Sequence, residues 1–223
     1  MQQQKSKKIF IYFFLLFILG SITNIEFNEK KFYLIKNIIV SGLSENDNNE
    51  ILSDFNKFKL KNIFLINGDE ILKIIDSNSL IENYQIYKNY PSLIKIKLEQ
   101  TNFLAQLNYN GNQFLVGSNG KLTKNNSSRK NLPFIFGKPD IQEFLEFKKN
   151  IDDSKFSYDQ IKNIYFYPSK RWDLELKDNK ILKLPKNDIK ISLDRAFEFI
   201  NDKNLTNNKL IDLRVKNQII LNE

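Results

Sequence analysis

The sequence predicts an α+β protein: an N-terminal apolar helix, a compact strand-helix-helix-strand-strand unit, and a second domain of mostly antiparallel β-structure with flanking helices. Three observations carry this expectation. Ile9 to Leu19 is an unbroken apolar and aromatic run behind a lysine-rich start. Between residues 33 and 100 the apolar spacing changes from alternation to helical periodicity and back. Beyond residue 101 short alternating runs are separated by polar turns, with two helical patterns among them.

The chain has 223 residues, with 34 Lys+Arg, 26 Asp+Glu, no Cys and no His. At roughly 150 residues per domain this is room for one large domain or two small ones. With 41% hydrophobic residues and 19 Phe there is ample material for a core. Lys outnumbers Arg 30 to 4 and Ile outnumbers Val 30 to 3, swaps that AT-rich codons favour, so the bias speaks of the genome more than of the fold. The absences exclude more. Without Cys there is no disulfide framework, thiolate nucleophile or Cys-ligated zinc site. Without His the commonest general base and the commonest metal ligand are missing. No catalytic residue, metal or cofactor is assigned.

Residues 1–8 hold three Lys and no acid, and the apolar run continues through Gly20 and Ile22 to Ile25. As a helix, residues 9–25 would span roughly 25 Å at 1.5 Å per residue. That is short for a hydrocarbon core of about 30 Å, and flanking Lys extends it by snorkelling. The same features fit a cleaved signal peptide, for which Ser21 and Thr23 are a weak version of the small residues that cleavage requires. A retained anchor is the expectation. On either reading the lysines stay in the cytoplasm and residues 26–223 are exported. That part carries interspersed charges of both signs and no basic arm, which argues against nucleic acid as a partner.

In the exported part, Ile35 to Val40 reads as a strand and Ser41-Gly42 as a turn, with Ile38, Ile39 and Val40 as core candidates. Ser44-x-x-Asp47 has the form of a capping box, followed by Ile51, Leu52, Phe55 and Phe58 at helical spacing. Asn67-x-x-Glu70 starts a second helix carrying Ile71, Leu72, Ile74 and Ile75. Ile81–Lys88 is extended, Tyr90-Pro91-Ser92 turns the chain, and Ile94, Ile96 and Leu98 alternate with Lys95, Lys97 and Glu99 as a half-buried strand.

In the second domain, Phe114-Leu115-Val116 leads into a Gly117-Ser118-Asn119-Gly120 turn. Residues 124–131 form a polar loop, Leu132-Pro133 opens the next segment, and Ile141, Phe144 and Leu145 suggest a short helix. Trp172, Leu174 and Leu176 alternate with Asp173, Glu175 and Lys177, and Ile181 to Leu184 returns after Asp178-Asn179 as the second arm of a hairpin. Ser192 is placed as the cap of a helix whose inner face is Leu193, Ala196, Phe197 and Ile200. Ile211, Leu213 and Val215 alternate, and Gln218 to Leu221 closes the chain.

These residues resemble a known family, the bacterial cell-division protein FtsQ, called DivIB in Gram-positive species. Asn89-Tyr90-Pro91-Ser92-Leu93-Ile94-Lys95-Ile96 looks like the family's segment before the last strand of its POTRA domain. Leu132-Pro133 with Gly137 resembles its LP-x-x-x-G element. Arg171-Trp172-Asp173-Leu174-Glu175-Leu176, then Leu184-Pro185, then Ile211-Asp212-Leu213-Arg214, look like its RW-x-L-x-L, LP and DLR signatures in order. The resemblance implies a cytoplasmic tail at residues 1–8, a transmembrane helix at 9–25, a POTRA domain (β-α-α-β-β) at 26–100 and an FtsQ-type β domain at 101–223. It also implies a single-pass inner-membrane protein at the division septum with periplasmic domains. Such a protein binds the small bitopic division proteins FtsB and FtsL, beside other proteins of the division machinery, through the last part of its β domain.

The residues add their own argument for where a partner sits. Only Arg129, Arg171, Arg195 and Arg214 are Arg, and in a chain so biased to Lys a surviving guanidinium suggests that its planar fork is needed. Arg171 and Arg214 fall inside the matched motifs, where they serve either an intramolecular ion pair or a bidentate grip on a partner carboxylate. Trp172, the single Trp, is a core residue by its alternation and a partner contact by its motif. Val215 to Leu221 is short and β-prone, and as a sheet edge it would offer unpaired N–H and C=O groups for strand addition. The expected partner-binding residues are Arg171, Trp172, Arg214, Val215, Ile219, Ile220 and Leu221. An enzyme reading has little support: Ser92-x-x-Lys95 and Ser127-x-x-Lys130 match S-x-x-K, but no S-D-N or K-T-G accompanies them. Asp152-Asp153 reads as a solvated pair. An exported POTRA adaptor for outer-membrane protein assembly or secretion is the alternative to a division scaffold.

Overall fold

The computed structural model describes residues 3–22, 33–125, 132–201, 209–215 and 218–222. They group into two compact units, Met1–Ile74 with Gln85–Lys97, and Ile75–Tyr84 with Leu98–Glu223.

The N-terminal helix α1 (Gln3–Ile22) carries the apolar run, whose side chains from Ile9 to Phe17 face outward. Residues 23–25 of the expected anchor lie outside the described residues. Among the described residues no helix is long and apolar enough to cross a membrane.

After α1 the chain follows the strand-helix-helix-strand-strand order: β1 (Asn37–Ser41), α2 (Glu45–Phe55), α3 (Gly68–Ser77), β2 (Ile81–Asn89) and β3 (Leu93–Gln100). The sheet order is β1-β3-β2. β1 runs parallel to β3 with Ile38 opposite Ile94 and Val40 opposite Ile96. The Ser44 cap forms as the spacing predicts: its Oγ accepts from the Asp47 N–H (3.3 Å) and donates to the Asp47 carboxylate (2.6 Å). Ile51, Phe55, Phe58, Ile71, Ile75, Ile94, Ile96 and Leu98 are all buried. Of the three core candidates on β1, Ile38 is buried and Val40 partly so. Ile39 points to the opposite, open face, because successive residues of a strand alternate sides.

The second sheet has nine strands: β4 (Phe103–Tyr109), β5 (Asn112–Gly117), β6 (Leu122–Lys124), β7 (Phe134–Phe136), β8 (Ile161–Phe166), β9 (Trp172–Leu176), β10 (Ile181–Lys183), β11 (Leu210–Asp212) and β12 (Ile220–Asn222). Their order is β12-β11-β10-β9-β8-β7-β4-β5-β6, an open sheet with β12 and β6 at its two edges. One apolar row crosses it in register: Leu107, Ile135, Ile164, Leu174, Leu182, Ile211 and Leu221. Helices α4 (Ile141–Asp152) and α5 (Ile189–Ile200) supply Phe144, Phe147, Ile151, Leu193 and Ala196 to the same core. α5 is also the crossover that lets β10 and β11 run parallel.

Local chemistry accounts for the boundaries that differ from expectation. α4 is a full three turns, opened by Asp140, whose carboxylate accepts from the Gln142 N–H (2.8 Å). α5 begins at Ile189, ahead of Ser192, which sits buried in the first turn with its Oγ donating to the Asp188 carbonyl (3.1 Å). The β9–β10 turn closes with Asn179 at φ 65°, a left-handed conformation that Asn tolerates. Gly137, of the LP-x-x-x-G element, sits at φ 99°, and a Cβ there would lie 2.3 Å from the Phe166 carbonyl oxygen. At Gly117 a Cβ would lie 2.5 Å from the Asn119 side chain and 2.8 Å from that of Thr101. Those side chains belong to a polar cluster in which Thr101 and Ser118 both donate to Glu82 (2.7 and 2.9 Å) and Asn119 donates to the Ser79 and Ile81 carbonyls (3.0 and 2.9 Å).

Phe147 lies flat on Trp172, with ring centroids 4.4 Å apart and 7° between planes, and is fully enclosed. Phe147→Ala should cost about 3–5 kcal/mol in equilibrium unfolding of the full chain. The exposed Tyr109→Ala should stay within about 0.5 kcal/mol of the parent.

Candidate partner-binding edge

The end of the nine-stranded sheet is built from β9, β10, β11 and β12. The core row sets the register, so the residues one step along each strand face the other way. They form a second row, in register across six strands: Phe136, Tyr165, Asp173, Lys183, Asp212 and Ile220. Acid, base and acid thus alternate on β9, β10 and β11, with an apolar side chain at the outer edge. In the neighbouring row, Asn163, Glu175, Ile181, Leu210 and Asn222 lie opposite one another.

Both motif arginines are held by aspartates two residues away. Arg171 follows a tight turn in which the Tyr167 N–H donates to the Arg171 carbonyl (3.0 Å). Its guanidinium lies over the Tyr167 ring, 4.4 Å from the centroid, and its Nε donates to Asp173 Oδ1 (3.2 Å). Arg214 grips Asp212 from the side: Nε donates to Oδ1 and Oδ2 (2.8 and 2.9 Å), and Nη2 contacts Oδ2. Both aspartates are buried, while the arginines remain partly open to solvent. The Arg214 hydrogen bonds are the main reason that the Asp212 carboxyl sits below its ordinary range, with Lys183 adding to the effect. Asp212 Oδ1 also accepts the Arg214 N–H (3.1 Å), an Asx-type turn that ends β11. That turn is why Val215, expected to continue the alternation, instead faces solvent.

The remaining expected residues divide by face. Ile219 and Leu221 pack on the core, whereas Ile220 is 50% exposed on the outermost strand. Trp172 is turned inward: at 4% exposure, sandwiched among Phe144, Phe147 and Phe166, it fixes β9 from inside and offers a partner no open surface. Arg214 and Val215 line a shallow groove of about 280 Å³, with Pro185, Arg195 and Leu213 in its walls. Sequence reasoning singled out the arginines but missed the aspartates that orient them, although both stand inside the quoted motifs. It also missed Glu175, whose carboxylate accepts from Asn163 (2.9 Å), Lys162 (2.8 Å) and Tyr165 (2.8 Å).

Of the two S-x-x-K matches, Ser92 precedes strand β3 and not a helix, and Ser127-x-x-Lys130 lies outside the described residues, as do Arg129, Lys216 and Asn217. Asp152 is paired with Lys148 (2.6 Å). Among the described residues no group of three or more acidic side chains is placed to hold a metal ion.

Residues 105–214 match the family model for the C-terminal part of the cell division protein FtsQ/DivIB. Residues 34–100 match the FtsQ-type POTRA domain. The cell division protein FtsQ of Rickettsia typhi is 28% identical over 210 residues, which cover 88% of this chain and 76% of that protein. FtsQ of Rickettsia bellii is 27% identical over 206 residues, covering 83% and 71%. The solved extracytoplasmic domain of the trans isomer of DivIB from Geobacillus stearothermophilus aligns with 37% of this chain and 76% of its own, at 14% identity and a TM-score of 0.31.

The three donors on Glu175 hold its carboxyl at about 2, down from 4.5. A folded value below the unfolded one contributes stability that is complete above pH 4.5 and is lost as the pH falls through about 2. Glu175→Gln should therefore lower the midpoint of thermal unfolding near neutral pH, and the gap from the parent should close across that window. A gap that does not change with pH would contradict the assignment.

Proposed function

The chain belongs to the FtsQ/DivIB family of cell division proteins, and from that premise we propose that it is a non-enzymatic scaffold that binds partners along β12. The observation that carries this reading is the sheet order, in which β12 is an edge strand with Ile220 facing outward. An edge strand presents a line of backbone N–H and C=O groups that an extended segment of another chain completes as a further strand. FtsB-like and FtsL-like bitopic proteins are the proposed occupants, held near the enzymes of septal wall synthesis. Arg214, which follows β11, stands next to that edge as a charged contact held by Asp212, while Arg171 lies three strands inward at the start of β9. Side-on binding of Asp212 uses Nε and one hydrogen of Nη2 of Arg214, which leaves the Nη1 hydrogens and the second Nη2 hydrogen for a partner carboxylate.

In this reading residues 1–8 are cytoplasmic, 9–25 anchor the chain in the inner membrane, and the POTRA domain (26–100) and β domain (101–223) stand in the periplasm. The outward apolar side chains of α1 and the lysines at 5, 7 and 8 support the anchor. Other proteins of the division machinery would meet the POTRA domain through its sheet edges, β1 and β2.

Titration of the full chain with the exported segments of the FtsB-like and FtsL-like partners tests the strand-addition mode. Ile220→Pro removes the N–H that pairs β12 to Asp212 of β11 and so unfastens the edge strand, and Ile220→Lys places a charge at its outward position. Each should weaken binding roughly tenfold or more, with far-UV circular dichroism unchanged. Binding equal to that of the parent by both folded variants would sink this mode.

A further inference from the structure

The loop after α2 shows a surface of a different kind, within the first unit. Phe58 and Ile63 are buried beneath it, yet Leu60, Phe64 and Leu65 between and after them are 73%, 55% and 82% exposed. Phe64 is the centre of a short aromatic ladder, stacked on Tyr90 (4.9 Å, 17°) and edge-on to Tyr33 (5.1 Å), both of which are also open to solvent. Three lysines, Lys57, Lys59 and Lys61, rim it. Lys57 and Lys61 hold their ammonium groups 5.3 and 5.2 Å from the centre of the Phe58 ring, and Lys61 is also 3.6 Å from Glu70.

This presentation is held in place by the backbone. Leu60 has φ 63°, a left-handed conformation unfavourable to any residue with a side chain. Its N–H donates to the Ile35 carbonyl (3.0 Å), the Ile35 N–H donates to the Lys61 carbonyl (3.0 Å), and the Ile63 N–H donates to the Tyr33 carbonyl (2.9 Å). The Phe64 N–H is satisfied by the Asn62 side chain (3.0 Å). With its backbone paired, the loop needs no outward apolar side chain to hold its shape, and Leu60 and Leu65 stay open to solvent.

We propose that Tyr33, Leu60, Phe64, Leu65 and Tyr90, with Lys57, Lys59 and Lys61, form a docking patch that inserts into the headgroup region of an anionic lipid bilayer. Three observations select lipid over a protein partner. Tyr and Phe beside Lys is the side-chain mixture of a membrane interface, where rings sit at headgroup level and ammonium groups meet lipid phosphates. Among the described residues a carboxylate stands against Lys61 but none against Lys57 or Lys59, so the rim carries basic charge. The ten residues from 23 to 32 that join α1 to Tyr33 extend at most about 36 Å, so the patch is leashed close to whatever α1 enters. The tether rests on the reading of α1 as an anchor; the chemistry of the patch does not. The device would set the POTRA domain against the membrane surface.

The sequence has no Cys, so one introduced thiol can be labelled alone. The full chain is reconstituted into phosphatidylglycerol/phosphatidylcholine vesicles carrying headgroup nitroxide lipids, with an environment-sensitive fluorophore at Leu65→Cys, Ile11→Cys or Tyr109→Cys in separate samples. The probe at position 65 is expected to be quenched by the nitroxide lipid, and the probe at 109 is expected to remain open to aqueous iodide. Lys57→Glu with Lys59→Glu, or vesicles of phosphatidylcholine alone, should reduce the quenching at 65, each lysine accounting for about fivefold in affinity. Lipid quenching at 11 with full aqueous exposure at 65 overturns the patch and leaves the anchor standing. Quenching at 65 without quenching at 11 upholds the patch and overturns the anchor. Shielding at 65 from iodide without lipid quenching also overturns the proposal, since a protein surface would then cover the loop.

Discussion

A sheet of nine short strands keeps its pairing because one row of apolar side chains, from Leu107 on β4 to Leu221 on β12, must face α4 and α5. A slip of a single residue would turn that row to the other face, and in β9, β10 or β11 it would bring Asp173, Lys183 or Asp212 into the core, so the register is strongly specified. Trp172 anchors the arrangement where β9 meets α4, with a flat ring stack on Phe147. Because the row ends at Leu221, β12 is secured on the core side by Ile219 and Leu221 while Ile220 and the outer backbone face away. The edge proposed to bind partners is thus a consequence of how the core is closed.

The same register explains the arginines. Asp173 and Asp212 fall on the face opposite the core, with Lys183 opposite both, and each carboxylate is covered by the Arg two residues from it. A buried carboxylate needs such a partner, and the pairing is weak evidence for stability because desolvation offsets much of the attraction. Its clearer effect is orientation. The guanidinium of Arg214 is fixed by three contacts to one carboxylate, and that of Arg171 lies over Tyr167. For the partner carboxylate proposed to meet them, little side-chain freedom is left to lose, which is how a preorganised donor contributes affinity.

Much of this was legible in the residues. The Ser44 cap, the alternation of Ile94, Ile96 and Leu98, the β9–β10 hairpin and a strand at the chain's last segment all follow from local rules of spacing and turn chemistry. The misreadings have local causes. Ser192 is a good N-cap by type, but the helix starts one turn earlier because Ile189 also packs on the core. Val215 continues a period-two pattern on paper, but the Asp212 side chain takes the Arg214 N–H and ends the strand. Tertiary contacts were beyond reach: nothing in the spacing of Asp173, Lys183 and Asp212 reveals that three strands set them side by side. The family resemblance drew attention to the RW and DLR segments, and the structure supplies the reason that their acids and bases occur together.

The central claim is that a partner strand pairs with β12. Amide hydrogen exchange on the full chain, with and without the FtsB-like and FtsL-like partners, tests it most directly. Strand addition predicts slowed exchange in Ile219 to Asn222 and little change in β6 at the other edge of the same sheet. Unchanged exchange along β12, with protection appearing elsewhere on the bound chain, would contradict it.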